Sequence, residues 1–210
     1  MDDARPAQRD TPKSRRTRAR ILDEAVRVIA DRGYGAASNA AVAEAAGITR
    51  GAMLYHFPTR EALLEAAIDH IQAQRAALFR QAADSLPPGG DVTEHAIESY
   101  WDLLHRPPFV AFAELEAAAR ADPTVRDLLA PAQAEFDRAH IGDHFLKMLH
   151  AGAGPRFQAS RDLARFMLEG LARANLTYDR DDRVERLLSV IKRATHMLNR
   201  KGDVIDLWEE

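Results

Sequence analysis

Apolar residues recur every three or four positions along nearly the whole chain, and no stretch alternates with period two. The pattern predicts an all-α protein of about nine helices. Ile21, Leu22, Ala25, Val28 and Ile29 share one face of a first helix that stops at Gly33, where a helix C-terminus can turn left-handed. A short second helix is expected over about 40–46 with Ser38 or Asn39 as its N-cap, and Gly47 ends it. Thr49 caps a third helix running to about His56, Pro58 breaks it, and Thr59 starts a long fourth with Leu63, Ala67, Ile71, Gln74 and Leu78 at helical spacing. After the loop Leu86-Pro87-Pro88-Gly89-Gly90, Asp91 with Glu94 signals the start of a fifth helix striped by Ile97, Tyr100, Trp101 and Leu104. Pro107-Pro108 opens a sixth helix bearing Phe109, Phe112 and Leu115. Asp122-Pro123 begins a seventh region that extends to Gly152 and that Pro131 is expected to kink or divide. Leu163, Phe166, Met167, Gly170, Leu171 and Ala174 mark an eighth helix, and Val184, Leu187, Leu188, Ile191 and Leu198 a ninth that stops at Gly202. Val204, Ile205, Leu207 and Trp208 form an apolar end expected to dock on a neighbouring helix or a partner subunit.

Within this helical pattern one segment carries a specific geometry. Residues 36–57, AASNAAVAEAAGITRGAMLYHF, place Ala43 where two helices must approach closely and Gly47 where a tight turn needs a positive φ; Ile48, Met53 and Phe57 then hold the second helix at a fixed angle. These are the requirements of a helix-turn-helix. The second helix of the pair is expected to expose Thr49, Arg50, Gly51, Ala52, Tyr55 and His56, with little negative charge, so it can enter a major groove about 12 Å wide. Arg50, Ala52 and Tyr55 are the expected base readers. Ser38, Asn39, Thr49, Thr59, Arg60 and Arg18 sit at helix starts or on the basic arm, where hydroxyl, amide and guanidinium groups can clamp the phosphate backbone.

Charge sharpens this reading. The chain's net charge is only −3, yet residues 13–60 carry nine Lys/Arg against four acids, while residues 61–210 carry 18 basic and 25 acidic residues. A basic head on an acidic body fits a head that meets a polyanion while the body stays off it. The division expected is a disordered tail over 1–12, a helix-turn-helix domain over 13–60, and a regulatory and dimerisation domain over 61–210. The 46% hydrophobic and 29% charged composition is that of an ordinary globular protein. No apolar run approaches the roughly 18 residues of a membrane span, and the first twenty residues lack the apolar core of a secretory signal, so cytoplasmic residence without membrane contact is expected. The absence of cysteine excludes disulfides, thiolate metal sites and a cysteine nucleophile.

The segments TRARILDEAVRVIADRGYGAAS (17–38) and VAEAAGITRGAMLYHFPTREALLEA (42–66) resemble the TetR family of bacterial regulators, densely over roughly the first 65 residues. The stretch FVAFAELEAAARADPTVRDLLAPA (109–132) is similar to the less regular C-terminal domain of many members. The resemblance implies a nine-helix fold, a homodimer joined by the last two long helices, a palindromic double-stranded DNA operator, and repression relieved by a ligand in the body. One position departs from the family: members commonly carry Tyr where this chain has Leu54, so a backbone contact from there is lost or replaced by an apolar one.

The remaining chemistry is sparse. Trp101, Phe109, Phe112, Phe136, Phe166, Met148 and Met167, with His105, His140 and His144 as the polar groups among them, suit an apolar pocket for a mostly hydrophobic small-molecule effector. Leu163, Phe166, Gly170, Leu171, Ala174, Val184, Leu187, Leu188 and Ile191 are the expected dimer contacts. His140 and His144 have the four-residue spacing of a metal pair but no third ligand, so neither a metal nor another cofactor is expected. The leading reading is therefore a ligand-released DNA-binding repressor and not an enzyme. A ligand-independent DNA-binding dimer, or an all-helical metal enzyme using His140 and His144, are the alternatives.

Overall fold

The computed structural model describes residues 11–138, 155–174, 177 and 182–199. These form nine α-helices and no strand: α1 (Pro12–Arg32), α2 (Asn39–Ala45), α3 (Arg50–His56), α4 (Arg60–Asp84), α5 (Val92–Leu103), α6 (Pro107–Ala119), α7 (Pro123–Phe136), α8 (Pro155–Ala174) and α9 (Arg183–Asn199). The all-α class predicted by the periodicity is the class observed.

Most helix starts are set by a side chain that accepts a hydrogen bond from an otherwise orphaned backbone N–H. Ser38, not Asn39, caps α2 by accepting from Ala41 N at 3.2 Å, and Thr49 caps α3 by accepting from Ala52 N at 3.2 Å. Asp91 accepts from Glu94 N at 2.9 Å, and Asp122 from Thr124 N at 2.9 Å. The first helix begins earlier than expected. Thr11 accepts from Ser14 N at 3.1 Å and Pro12 fills the first helical position, so Pro12 belongs to α1 and Thr11 is its N-cap. The helix α7 runs through Pro131 undivided to Phe136. The proline frees the carbonyl of Asp127, but both residues are exposed and water can satisfy it.

Over the described residues the chain divides into two compact units. The first takes the chain up to Ala73 together with Val110–Ala132, and so includes more than residues 13–60. Its core joins Ile21, Val42, Met53, Phe57, Ile71, Leu115 and Val125, all nearly inaccessible. The second takes Gln74–Phe109 and the described chain from Gln133 onward, and α5, α8 and α9 pack on one another around Ile97, Tyr100, Phe109, Leu168 and Ile191. The helices α4, α6 and α7 contribute residues to both units. In the second unit Phe79 stacks on Tyr100 at 5.7 Å and meets Phe109 edge-on at 5.3 Å.

Candidate functional site

The turn between α2 and α3 has the geometry its sequence requires. Gly47 adopts φ +60, a conformation strained for any residue with a Cβ, and Ile48 N donates to Ala43 O at 3.0 Å across the turn. Met53 and Phe57 are almost wholly buried and fix α3 against the core. At about 100° per residue, that anchoring turns positions 50, 54, 51 and 55, in angular order, outward over an arc of roughly 140°. Arg50, Gly51, Leu54 and Tyr55 are indeed the exposed residues of α3, and no acid lies on this helix.

Two expectations are corrected here. Ala52 is half-buried at the edge of the arc, and His56 is buried, at 9% exposure, because it falls three residues after Met53 on the core side. Leu54 takes the centre of the exposed arc instead, at 42% exposure, with Tyr55 at its margin at 56%. His56 Nδ1 is buried with no hydrogen-bond partner among the described residues. Burial, and then the nearby Arg18 charge, push the His56 imidazole below its ordinary pKa.

Several polar residues expected to touch DNA also hold the frame of the first unit. The Arg18 guanidinium lies over the Phe57 ring at 4.4 Å and donates to His56 O at 3.5 Å. Arg60 lies over the Tyr34 ring at 4.6 Å and donates to Tyr34 O at 3.3 Å. Burial raises the Tyr34 phenol, and Arg60 opposes that shift. The Asn39 amide donates to Phe57 O at 3.0 Å and to Thr59 O at 3.4 Å, bridging the start of α2 to the segment between α3 and α4. Ser38, Thr49 and Thr59 cap their helices. The side chains of Lys13, Arg16, Arg20 and Arg50 remain exposed and without partners among the described residues, a set of cations held ready for an anion.

In the second unit the structure brings together only some of the expected ligand residues. Phe109 and Phe136 are buried side by side with Phe79, and Trp101 packs half-buried against that cluster. Phe112 lies in the core of the first unit, because it faces inward on the part of α6 that belongs there. His105 is exposed, its Nδ1 2.8 Å from Trp101 O. Phe166, at 64%, and Met167 are exposed on α8. His140, His144 and Met148 lie outside the described residues.

Sequence reasoning missed a buried polar group in this unit. Arg75, 2% exposed, has its guanidinium 5.1 Å from the Phe109 ring and 4.5 Å from the Phe136 ring and donates to Gln133 Oε1 at 3.1 Å. Beside it Tyr100 donates to Glu169 at 2.7 Å, and Arg165 pairs with Glu169 at 2.8 Å and Asp137 at 3.4 Å. Burial and the Glu169 charge push the Tyr100 phenol far up. Arg75 follows Ile71 by four residues, on the inward stripe of α4, so its burial was legible from the period.

Of the expected dimer contacts, Leu163, Phe166, Gly170 and Leu187 are exposed, while Leu171, Ala174, Val184 and Leu188 are half-buried. Ile191 is corrected: at 3% exposure it belongs to the core of its own unit. Met167, Val190 and Met197, which were not among the expected contacts, are exposed as well. Eight large apolar residues are exposed among the described residues: two sit on α3 and six on α8 and α9. Apolar exposure among the large residues thus falls on α3 in the first unit and on α8 and α9 in the second, where an interface with another molecule would remove it from water.

The family profile of bacterial regulatory proteins, tetR family, matches residues 21–67. The chain is 28% identical to the HTH-type transcriptional regulator CymR of Pseudomonas putida, over 81% of this chain and 85% of that one. It is 33% identical to the HTH-type transcriptional repressor LfrR of Mycolicibacterium smegmatis, over 51% of this chain and 54% of that one. A TetR-family structure from Streptomyces coelicolor A3 aligns over 87% of this chain and 98% of its own, with TM-score 0.60 and 22% identity.

Proposed function

We propose that this chain is a DNA-binding transcriptional regulator of the TetR family, which represses transcription as a homodimer on a palindromic operator and is released by a small, mostly hydrophobic effector. The observation that carries the proposal is the exposed arc of α3, with Arg50 at one edge, Tyr55 at the other and no acid between them. Arg50 reads a base edge, and Lys13, Arg16 and Arg20 neutralise phosphates. Arg18 and Arg60 hold the frame and reach the backbone only from their aromatic seats. Ser38, Thr49 and Thr59 can add backbone contacts while capping.

The effector is assigned to the second unit, whose half-buried Trp101 and buried Phe109 and Phe136 provide apolar surface and whose Arg75 can orient a polar end. For release, the effector must bind the DNA-free conformation more tightly than the DNA-bound one; affinity alone shifts nothing. The protein works in the cytoplasm, where its DNA is; no helix among the described residues is long and apolar enough to cross a membrane.

The test is selection from a random double-stranded DNA pool by the purified protein, repeated with Arg50→Ala. The wild type should enrich a palindrome, and Arg50→Ala should lose about 1–3 kcal/mol and relax one base pair in each half-site. A pool with no enriched sequence, or an Arg50→Ala motif identical to the wild-type one, would reject the assignment.

A further inference from the structure

Leu54 is an unusual residue for the middle of a polar-facing helix. It sits between Arg50 and Gly51 on the outward arc, 42% exposed, while its neighbours Met53 and His56 face the core. It belongs neither to the core of the first unit nor to the partly buried shell around it. Gly51, beside it, is equally unexplained by the fold. A Cβ built there would meet only Thr49 Oγ1, at 4.0 Å, so alanine would fit, with the better helix propensity. The core of the first unit thus accounts for neither the exposed leucine nor the missing side chain next to it.

Resting on the reading of α3 as a recognition helix, we infer that Leu54 is a specificity-determining residue that reads the 5-methyl group of thymine. The occupant of this surface is a duplex because Arg50, beside Leu54 on the arc, is an exposed cation without an acidic partner among the described residues, and no acid lies on α3. In the major groove the other base-edge groups are hydrogen-bond donors or acceptors, and the thymine methyl is the apolar one. A leucine pressed on the methyl removes apolar surface from water on both sides. The same leucine pressed on a guanine or cytosine edge strips water from a donor or acceptor and returns no hydrogen bond. Leu54 thus favours thymine and disfavours G·C at one position, and Gly51 lets the helix surface come close enough for a side chain of this length to touch the groove floor.

The experiment uses the full-length protein and the operator it selects, with each thymine replaced singly by uracil, which deletes the methyl and leaves base pairing intact. For the wild type, one thymine in each half-site should lose about fourfold in affinity on demethylation, the value of one buried methyl. For Leu54→Ala that particular penalty should vanish, while penalties at other thymines and the unfolding transition stay as in the wild type. If no thymine is sensitive to its methyl, or if the penalty persists in Leu54→Ala, the role given to Leu54 is wrong although the protein still binds its operator. If no sequence is bound at all, both this inference and the repressor reading fail.

Discussion

His56 sits where a charge is unwelcome. Its ring is buried against the edge of Tyr55, with centroids 5.1 Å apart, and the Arg18 guanidinium lies close by over Phe57. Desolvation and then Arg18 both lower the pKa from the ordinary 6.5. In the native state the ring therefore stays neutral at a pH where the unfolded chain already binds the proton. By linkage the stability this group confers is complete above about pH 6.5 and is lost as pH falls through the depressed native value. Urea unfolding followed from pH 7.5 down to pH 5 should show the wild type losing more stability than His56→Gln, which has no proton to take up. Equal pH slopes for the two proteins would show that His56 is not held neutral. The same residue marks what sequence could and could not say. Its place three residues after Met53 puts it on the inward side of α3, while its polar character suggested the outward one; the period was the better guide, as it was for Arg75.

At the scale of elements, the helix pair α2–α3 is positioned by an amide that sequence alone could not assign. Ser38 and Asn39 are equivalent N-cap candidates on paper, and only the folded chain shows that Ser38 caps while Asn39 is carried round to the carbonyls of Phe57 and Thr59. Those carbonyls come near only once Phe57 is buried and α3 has turned back, a long-range consequence that a local pattern does not encode. The capped helix ends, the Gly47 turn and the Pro58 break were legible because each depends on residues within four positions of itself. The bridge predicts an order of damage. Asn39→Ala removes two hydrogen bonds and should cost about 1–2 kcal/mol in urea unfolding. Asn39→Asp keeps the shape but turns the donor into a charged acceptor facing two carbonyl oxygens, and should cost more than alanine does. If aspartate proved milder than alanine, the amide would not be the group that tethers α3.

On the scale of the whole molecule, the all-α class and the basic head were readable from pattern and charge, whereas the division into units was not. Helices α4, α6 and α7 each serve both units, so no break in composition marks a boundary, and residues 110–132 join the first unit across a long span of sequence. The proposed dimer surface was half legible for a related reason. An amphipathic stripe reveals that α8 and α9 have apolar faces, but not which apolar residues their own unit has already covered. The structure separates them: Leu168 and Ile191 are buried, while Leu163, Phe166, Met167, Leu187, Val190 and Met197 remain in contact with water. A second copy related by a two-fold axis would cover this patch and would match a palindromic operator. Phe166→Glu places a charge at the most exposed of these residues and touches no core, so it should give a folded monomer by light scattering at micromolar concentration. Without its partner head, each monomer should bind the operator about 10²–10⁴-fold more weakly. Ile191→Glu should instead unfold the second unit, because it buries an unpaired carboxylate. A wild-type protein that is monomeric at that concentration, or a Phe166→Glu protein that stays dimeric, would place the dimer contact elsewhere.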